Sequence, residues 1–379
     1  MSTEGREVPR RYEQPGGLTI GEACMQASSY LAEHGVEEPR ANAERLLLHV
    51  LRLDKAALLR DWREPWPAVA ASAVEAGSGT LVHAAGTGIG SADDDAEASK
   101  DEEVGAYAGH EEADIGHLPI ASTNESASAS TPASIAAEWA RLLERKAAGE
   151  PVQYLIGEQW FYGLPFAVTP AVLIPRPETE LLVEAVLEAA DRLWPDARGA
   201  TERADAAAPT VVDVGTGSGA IAVTLASQRP GWRVEASDLS ADALETARGN
   251  AARHCAAARM RFAQGDLLAP FAGRGIDVLV SNPPYIPASD IAGLQREVRD
   301  HEPRLALDGG KDGLDPYRRM LEQLPSLAAV PRIVAFELGQ GQAQEVARML
   351  REAGHWPDIR IVSDYAGIER HVIAVAPLD

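Results

Sequence analysis

Thr210-Val211-Val212-Asp213-Val214-Gly215-Thr216-Gly217-Ser218-Gly219 is the stretch on which the fold turns. A short apolar run enters three alternating glycines, and an apolar helical pattern follows over 220–228. Glycines allow a tight turn and a close approach of backbone to a ligand. Exposed amides at the start of a helix favour a negative group there. The spacing differs from the dinucleotide fingerprint, and no Lys-Ser/Thr follows as in a phosphate loop. Downstream the pattern alternates. Strands are expected at 233–237, 277–281, 333–337, 359–363 and 370–376, with helices from 241 and over 342–353. Such alternation predicts an α/β fold with a doubly wound, Rossmann-like parallel sheet. The link between the last two strands is too short for a crossover, so these should pair antiparallel.

Two further positions fall where strands end. Glu235-Ala236-Ser237-Asp238 closes the strand after the glycine loop. An acid about 20 residues beyond such a loop suits the two hydroxyls of a ribose. The alternative role for Asp238 is to cap the next helix, which Ser240 is equally placed to do. Ser281-Asn282-Pro283-Pro284-Tyr285 follows another apolar strand. Two prolines leave a rigid backbone without N–H donors, so its carbonyls look for an external donor. Asn282 adds a side-chain acceptor and Tyr285 a stacking face. Together they suit a planar NH₂ group, whose delocalised lone pair makes it a poor nucleophile. Accepting its hydrogens raises electron density on nitrogen and aims it. The glycine loop followed by Asp238 resembles the pattern of S-adenosylmethionine-dependent methyltransferases, and Asn282 follows them in order. Pro-Pro alone would read as a strand terminator.

The chain has 379 residues and a net charge of -22. From 75 to 134 it carries twelve acids against one base, so half of the imbalance sits in one segment. An acidic balance without a Lys/Arg stripe argues against a direct nucleic-acid footprint. Two distant cysteines, Cys24 and Cys255, exclude a disulfide framework, and both are expected to be buried or half-buried thiols. No apolar window is long enough to span a membrane, and the first residues lack a secretory apolar run. A cytoplasmic monomer is expected. Residues 1–17 should be disordered. Residues 18–149 should form a helical domain, with a Thr19–Glu22 capping box and Pro39 opening a second helix. An acidic, low-complexity insertion over about 76–133 interrupts it and should be disordered. His83, His110 and His117 lie within it, and the expectation is a solvated loop without metal. Residues 150–177 should form a β-hairpin linker and 178–379 the catalytic domain. A second small polar insertion is expected over 195–209.

These motifs resemble one family, which methylates the glutamine side-chain amide of bacterial peptide chain release factors. The likeness rests on Gly149-Glu-Pro-Val-Gln-Tyr154, Phe161-Tyr-Gly-Leu-Pro165, Leu173-Ile-Pro-Arg-Pro-Glu-Thr-Glu180, the glycine loop, the Asn-Pro-Pro-Tyr turn and Glu302-Pro-Arg-Leu-Ala-Leu-Asp-Gly-Gly310. It implies S-adenosylmethionine as methyl donor and class-1 release factors, with their Gly-Gly-Gln motif, as partners. By position, Gly215, Thr216, Gly217, Ser218 and Gly219 would hold the donor's methionine part. Asp238 would hold its ribose, and Leu267, beside Asp266, would flank its adenine unless it is an ordinary core leucine. Asn282 would touch donor and acceptor, and Pro283, Pro284 and Tyr285 would complete the amide grip. Arg176, Glu178 and Glu180 are read as fixing the hairpin and a helix start, and Glu337 as a supporting group at the ligand edge. The rivals are a methyltransferase for a ribosomal-protein glutamine and one for a base amino group in nucleic acid. A catalytically silent adenosine-binding scaffold is a third.

Overall fold

The computed structural model describes residues 12, 17–66, 131–197 and 208–378. The acidic segment up to residue 130, with His83, His110 and His117, lies outside them, as does nearly all of 1–16. Tyr12 is an exception to the expected disorder. It is buried, and its ring meets Tyr30 edge-on at 5.3 Å.

The N-terminal domain is helical because its apolar residues recur at helical spacing. Helix α1 (Ile20–Glu33) starts with the expected capping box of Thr19 and Glu22. Helix α2 (Pro39–Leu51) starts on its proline. A short α3 (Lys55–Arg60) follows. Helix α4 (Pro132–Ala147) begins earlier than expected, because the Thr131 hydroxyl caps the Ser134 amide. Trp66 and Trp139 pack at 5.8 Å between centroids, which joins the chain ends on either side of the undescribed segment.

The linker differs from its expectation. Val152–Ile156 is a helix, α5, and its Val152 and Leu155 belong to the helical core. Only β1 (Glu158–Phe161) and β2 (Leu164–Ala167) make the hairpin. Helix α6 (Glu178–Leu193) then opens the C-terminal domain.

That domain holds a seven-stranded sheet. In chain order it contains β3 (Thr210–Val214), β4 (Arg233–Asp238), β5 (Met260–Gln264), β6 (Val278–Ser281), β7 (Ile333–Glu337), β8 (Asp358–Ser363) and β9 (Glu369–Val375). Their spatial order is β5-β4-β3-β6-β7-β9-β8, parallel except for β9, which runs antiparallel to β7 and β8. Strand β5 was not anticipated. It is an edge strand of mixed burial, so it lacks the continuous apolar run of its neighbours. Alternate residues face opposite sides. Val211, Val278 and Ile333 pack beneath α6 and α7 (Ala220–Gln228). Val212, Leu279 and Val334 meet α10 (Asp315–Gln323) and α11 (Ala343–Ala353). Two further helices are α8 (Ala241–Arg253) and the short α9 (Arg296–His301). The strand order reverses at β3, between β4 and β6, and a crevice opens there at the strands' carboxyl ends.

Candidate active site

The glycine loop leaves β3 at this switch point. Gly215, Gly217 and Gly219 have φ of 73°, 55° and 82°, a region that side chains resist. The Gly215 and Thr216 amides donate to the Ser237 carbonyl at 2.8 and 2.9 Å. The Thr216 hydroxyl turns inward and donates to Asp213 at 2.7 Å. Burial pushes the Asp213 carboxyl up to about 7, against the pull of that hydroxyl.

Asp238 ends β4 and fastens the loop across the crevice. One of its oxygens accepts from the Gly217 amide and the other from the Ser240 amide, each at 2.9 Å. Helix α8 is capped by Ser240, whose hydroxyl accepts from Ala243. Asp238 is therefore free of the capping role and stands on the cavity wall. Burial raises its carboxyl above the ordinary range, and the two amides oppose that shift.

Asn282 follows β6 on the other side. Its Nδ2 donates to the Thr179 hydroxyl at 3.2 Å, in the first turn of α6. Its Oδ1 is buried and finds no hydrogen-bond partner among the described residues. A buried acceptor left open in this way costs free energy, so a site waiting for a donor explains it.

A cavity of about 640 Å³ joins the two sides, within the range of small-molecule sites. Gly215, Thr216, Gly217, Ser218, Asp238, Leu267, Asn282 and Pro284 line it. Gly219, Pro283 and Tyr285 do not. Gly219 instead lets α7 approach α8, since an added Cβ would lie 3.1 Å from that of Ala247. Pro283 is buried, and Tyr285 is partly buried against the core beside Phe336. Burial pushes the Tyr285 phenol up to about 12, so it is neutral at physiological pH. Leu267 reaches the cavity from a strained backbone with φ of 51°. The adjacent Asp266 pairs with Arg319, and both line the same wall.

In the motif beside α6, Glu180 does what was expected and Arg176 is held elsewhere. Glu180 accepts from the Tyr162 amide at 2.7 Å and holds the hairpin turn. Arg176 donates to Glu302 at 2.5 Å and to the Ile174 carbonyl at 3.0 Å. Glu302 was not singled out, although it heads the quoted Glu-Pro-Arg stretch. Thr179 was also missed, within the quoted Pro-Glu-Thr-Glu. Glu337 is buried 3.7 Å from His371 and does not reach the cavity wall. Cys255, expected to be at least half-buried, is exposed at a turn with φ of 56°.

The glycine loop and Asp238 on one side of the switch point and Asn282 on the other line one cavity. In class the protein is a methyltransferase. The model of the methyltransferase small domain matches residues 201–309, and that of the PrmC N-terminal domain matches 22–77. The release factor glutamine methyltransferase of Moorella thermoacetica is 46% identical over 64% of this chain and 81% of its own. Its namesake from Bacillus cereus is 43% identical over 62% and 80%, and that from Chlorobaculum tepidum is 46% identical over 60% and 75%. The chain belongs to the release factor glutamine methyltransferase family.

Proposed function

We propose that this protein methylates the side-chain amide nitrogen of the glutamine in the Gly-Gly-Gln motif of class-1 release factors. S-adenosylmethionine, when bound, supplies an electrophilic sulfonium methyl. Gly215 to Ser218 and Asp238 hold this donor, with the Asp238 carboxylate on its ribose. Leu267 lies against its base. The open Oδ1 of Asn282 accepts one hydrogen of the acceptor NH₂, and the Pro283 carbonyl accepts the other. This keeps electron density on nitrogen and orients it, so no strong base is required before transfer. Tyr285, a neutral phenol, is no base and supports the turn.

The observation that carries this reading is the buried, unpartnered Oδ1 of Asn282 on a cavity wall, with its Nδ2 already held by Thr179. A glutamine amide presents the complementary hydrogens. No helix among the described residues is long and apolar enough to cross a membrane. The test offers labelled donor with purified release factor, ribosomal protein, tRNA or DNA. Label is expected in the release factor. Label confined to nucleic acid or to ribosomal protein would replace this reading with the corresponding rival.

A further inference from the structure

The Asn-Pro-Pro-Tyr turn has an unusual difficulty. Pro283 and Pro284 have no N–H, so the turn has few donors with which to fix itself. Its carbonyls and the Asn282 side chain must nevertheless stay within hydrogen-bond reach of a reacting amide. Its support therefore has to come from elsewhere in the chain, and the structure shows where. The Ile286 amide donates to the Leu307 carbonyl at 3.0 Å, and the Gly309 amide donates to the Ile286 carbonyl at 2.9 Å. The Tyr285 carbonyl accepts from the side-chain Nε2 of Gln342 at 2.9 Å. The same Nε2 lies 3.4 Å from the Asp312 carbonyl, and Gln342 Oε1 accepts from the Gly339 amide at 2.8 Å. One amide side chain thus ties together the exit of β7, the 309–313 wall and the turn.

The packing around this contact is close. A Cβ added at Gly313 would collide with the Tyr285 carbonyl and with Gln342 Nε2. One at Gly309 would lie 2.8 Å from the Pro284 carbonyl oxygen and from the Tyr285 Cα. One at Gly339 would lie 2.9 Å from Gln342 Oε1 and 3.2 Å from the Tyr285 ring. Gly313 and Gly339 keep space for the Gln342 amide, and Gly309 lets its own wall lie directly against the backbone of the turn.

We infer that Gln342 is a positioning residue for methyl transfer, holding the Asn282–Tyr285 turn through the Tyr285 carbonyl so that its acceptors face the incoming amide. The inference rests on the functional reading above. It assigns Gln342 to the acceptor side, because its side-chain hydrogen bonds go to Tyr285, Asp312 and Gly339.

The informative variant is Gln342→Glu. It keeps an oxygen for the Gly339 amide and replaces the donor facing Tyr285 with a second acceptor. Gln342→Ala removes both contacts, and Gln344→Ala, at an exposed position in the first turn of α11 whose side chain bonds to Glu369 of β9, is the control. Steady-state kinetics with a release factor as acceptor, calorimetric donor affinity and melting temperature are measured for each. Gln342→Glu and Gln342→Ala are expected to lose about tenfold in turnover number, as for one lost hydrogen bond with a group left unsatisfied. Donor affinity should stay within about twofold, and Gln344→Ala should match wild type. Wild-type turnover in Gln342→Glu would overturn the inference. An equal loss of donor affinity, or a Gln342→Glu protein that does not fold, would overturn it too, by showing a scaffold role. If wild type itself leaves the release factor unmethylated, the functional reading fails and this one with it. Methylation by wild type and Gln342→Glu alike removes only the role of Gln342.

Discussion

The glycine loop and the Asn-Pro-Pro-Tyr turn face one cavity from adjacent strands, yet they are held in different ways. The loop is nearly self-contained. Its ties run to Asp213, Ser237 and Asp238 within the β3–β4 unit, and to Asn250 of the next helix, α8, which donates to the Ser218 carbonyl at 2.8 Å. The turn is held from a distance. Thr179 stands 103 residues before Asn282, and Gln342 stands 57 residues after Tyr285. On the proposed function, a donor common to many enzymes would be gripped by a mostly local unit, and the acceptor-specific grip would depend on parts gathered from the whole domain. Damage on the donor side should appear as lost donor affinity, and damage on the acceptor side as lost turnover.

The largest effect is expected at Asn282. Asn282→Ala removes the open acceptor and should slow turnover by roughly 10²–10³-fold, the cost of one preorganised polar contact to a transition state. Donor affinity should change little, and steady-state kinetics beside calorimetry would show the contrast. Asp238→Ala should invert the pattern. It should weaken donor binding by about 1.5–3 kcal/mol, the range for hydrogen bonds to a charged group, and raise the donor Michaelis constant. Unchanged calorimetric affinity would remove Asp238 from the donor site. Because Asp238 also holds the Gly217 and Ser240 amides, Asp238→Asn should be milder than Asp238→Ala.

Thr179→Val tests whether support from a distance matters. It removes the acceptor of Asn282 Nδ2 and should cost about tenfold in turnover, with donor affinity intact. Normal turnover would mean that Asn282 keeps its orientation without Thr179.

The smallest effect concerns pH and the loop's foundation. The folded carboxyl of Asp213 titrates at about 7, above its ordinary unfolded value. Between those values the native state binds the extra proton, so this group's contribution falls as pH rises through the window. Asp213→Asn keeps an acceptor for Thr216 and removes the titration. Wild type should lose melting temperature relative to Asp213→Asn as pH rises from 5 to 8, most of it below pH 7. A difference independent of pH would show that Asp213 is ionised throughout.

The legible parts of the sequence were those that local pattern determines. Val211 to Val214, the alternating glycines and helix 220–228 follow one another directly, so strand, turn and helix could be read together. The antiparallel pairing of the last strands followed from a link too short for any crossover. Strand Met260–Gln264 escaped because an edge position asks for no apolar run, and Val152–Ile156 escaped because five residues show no period. Asp238 and Asn282 were legible as residues that would line the crevice because their places at strand ends are local facts. Thr179 and Glu302 lay in noticed stretches, but their partners are 103 and 126 residues away. Gln342 gave no signal, since its role exists only once β7 lies beside β6. The stacking role read for Tyr285 meets a ring that is partly buried beside the core, and only Asn282 and Pro284 of the four turn residues line the cavity.

The central claim is that the open oxygen of Asn282 waits for a glutamine amide. It is tested most directly by mapping the transferred methyl. Purified release factor is incubated with isotopically labelled S-adenosylmethionine and wild-type protein, then digested and sequenced by mass spectrometry. The account predicts a single label on the side-chain nitrogen of the Gly-Gly-Gln glutamine, lost when Asn282→Ala replaces wild type. A label on another residue, or an equal yield from Asn282→Ala, would contradict it.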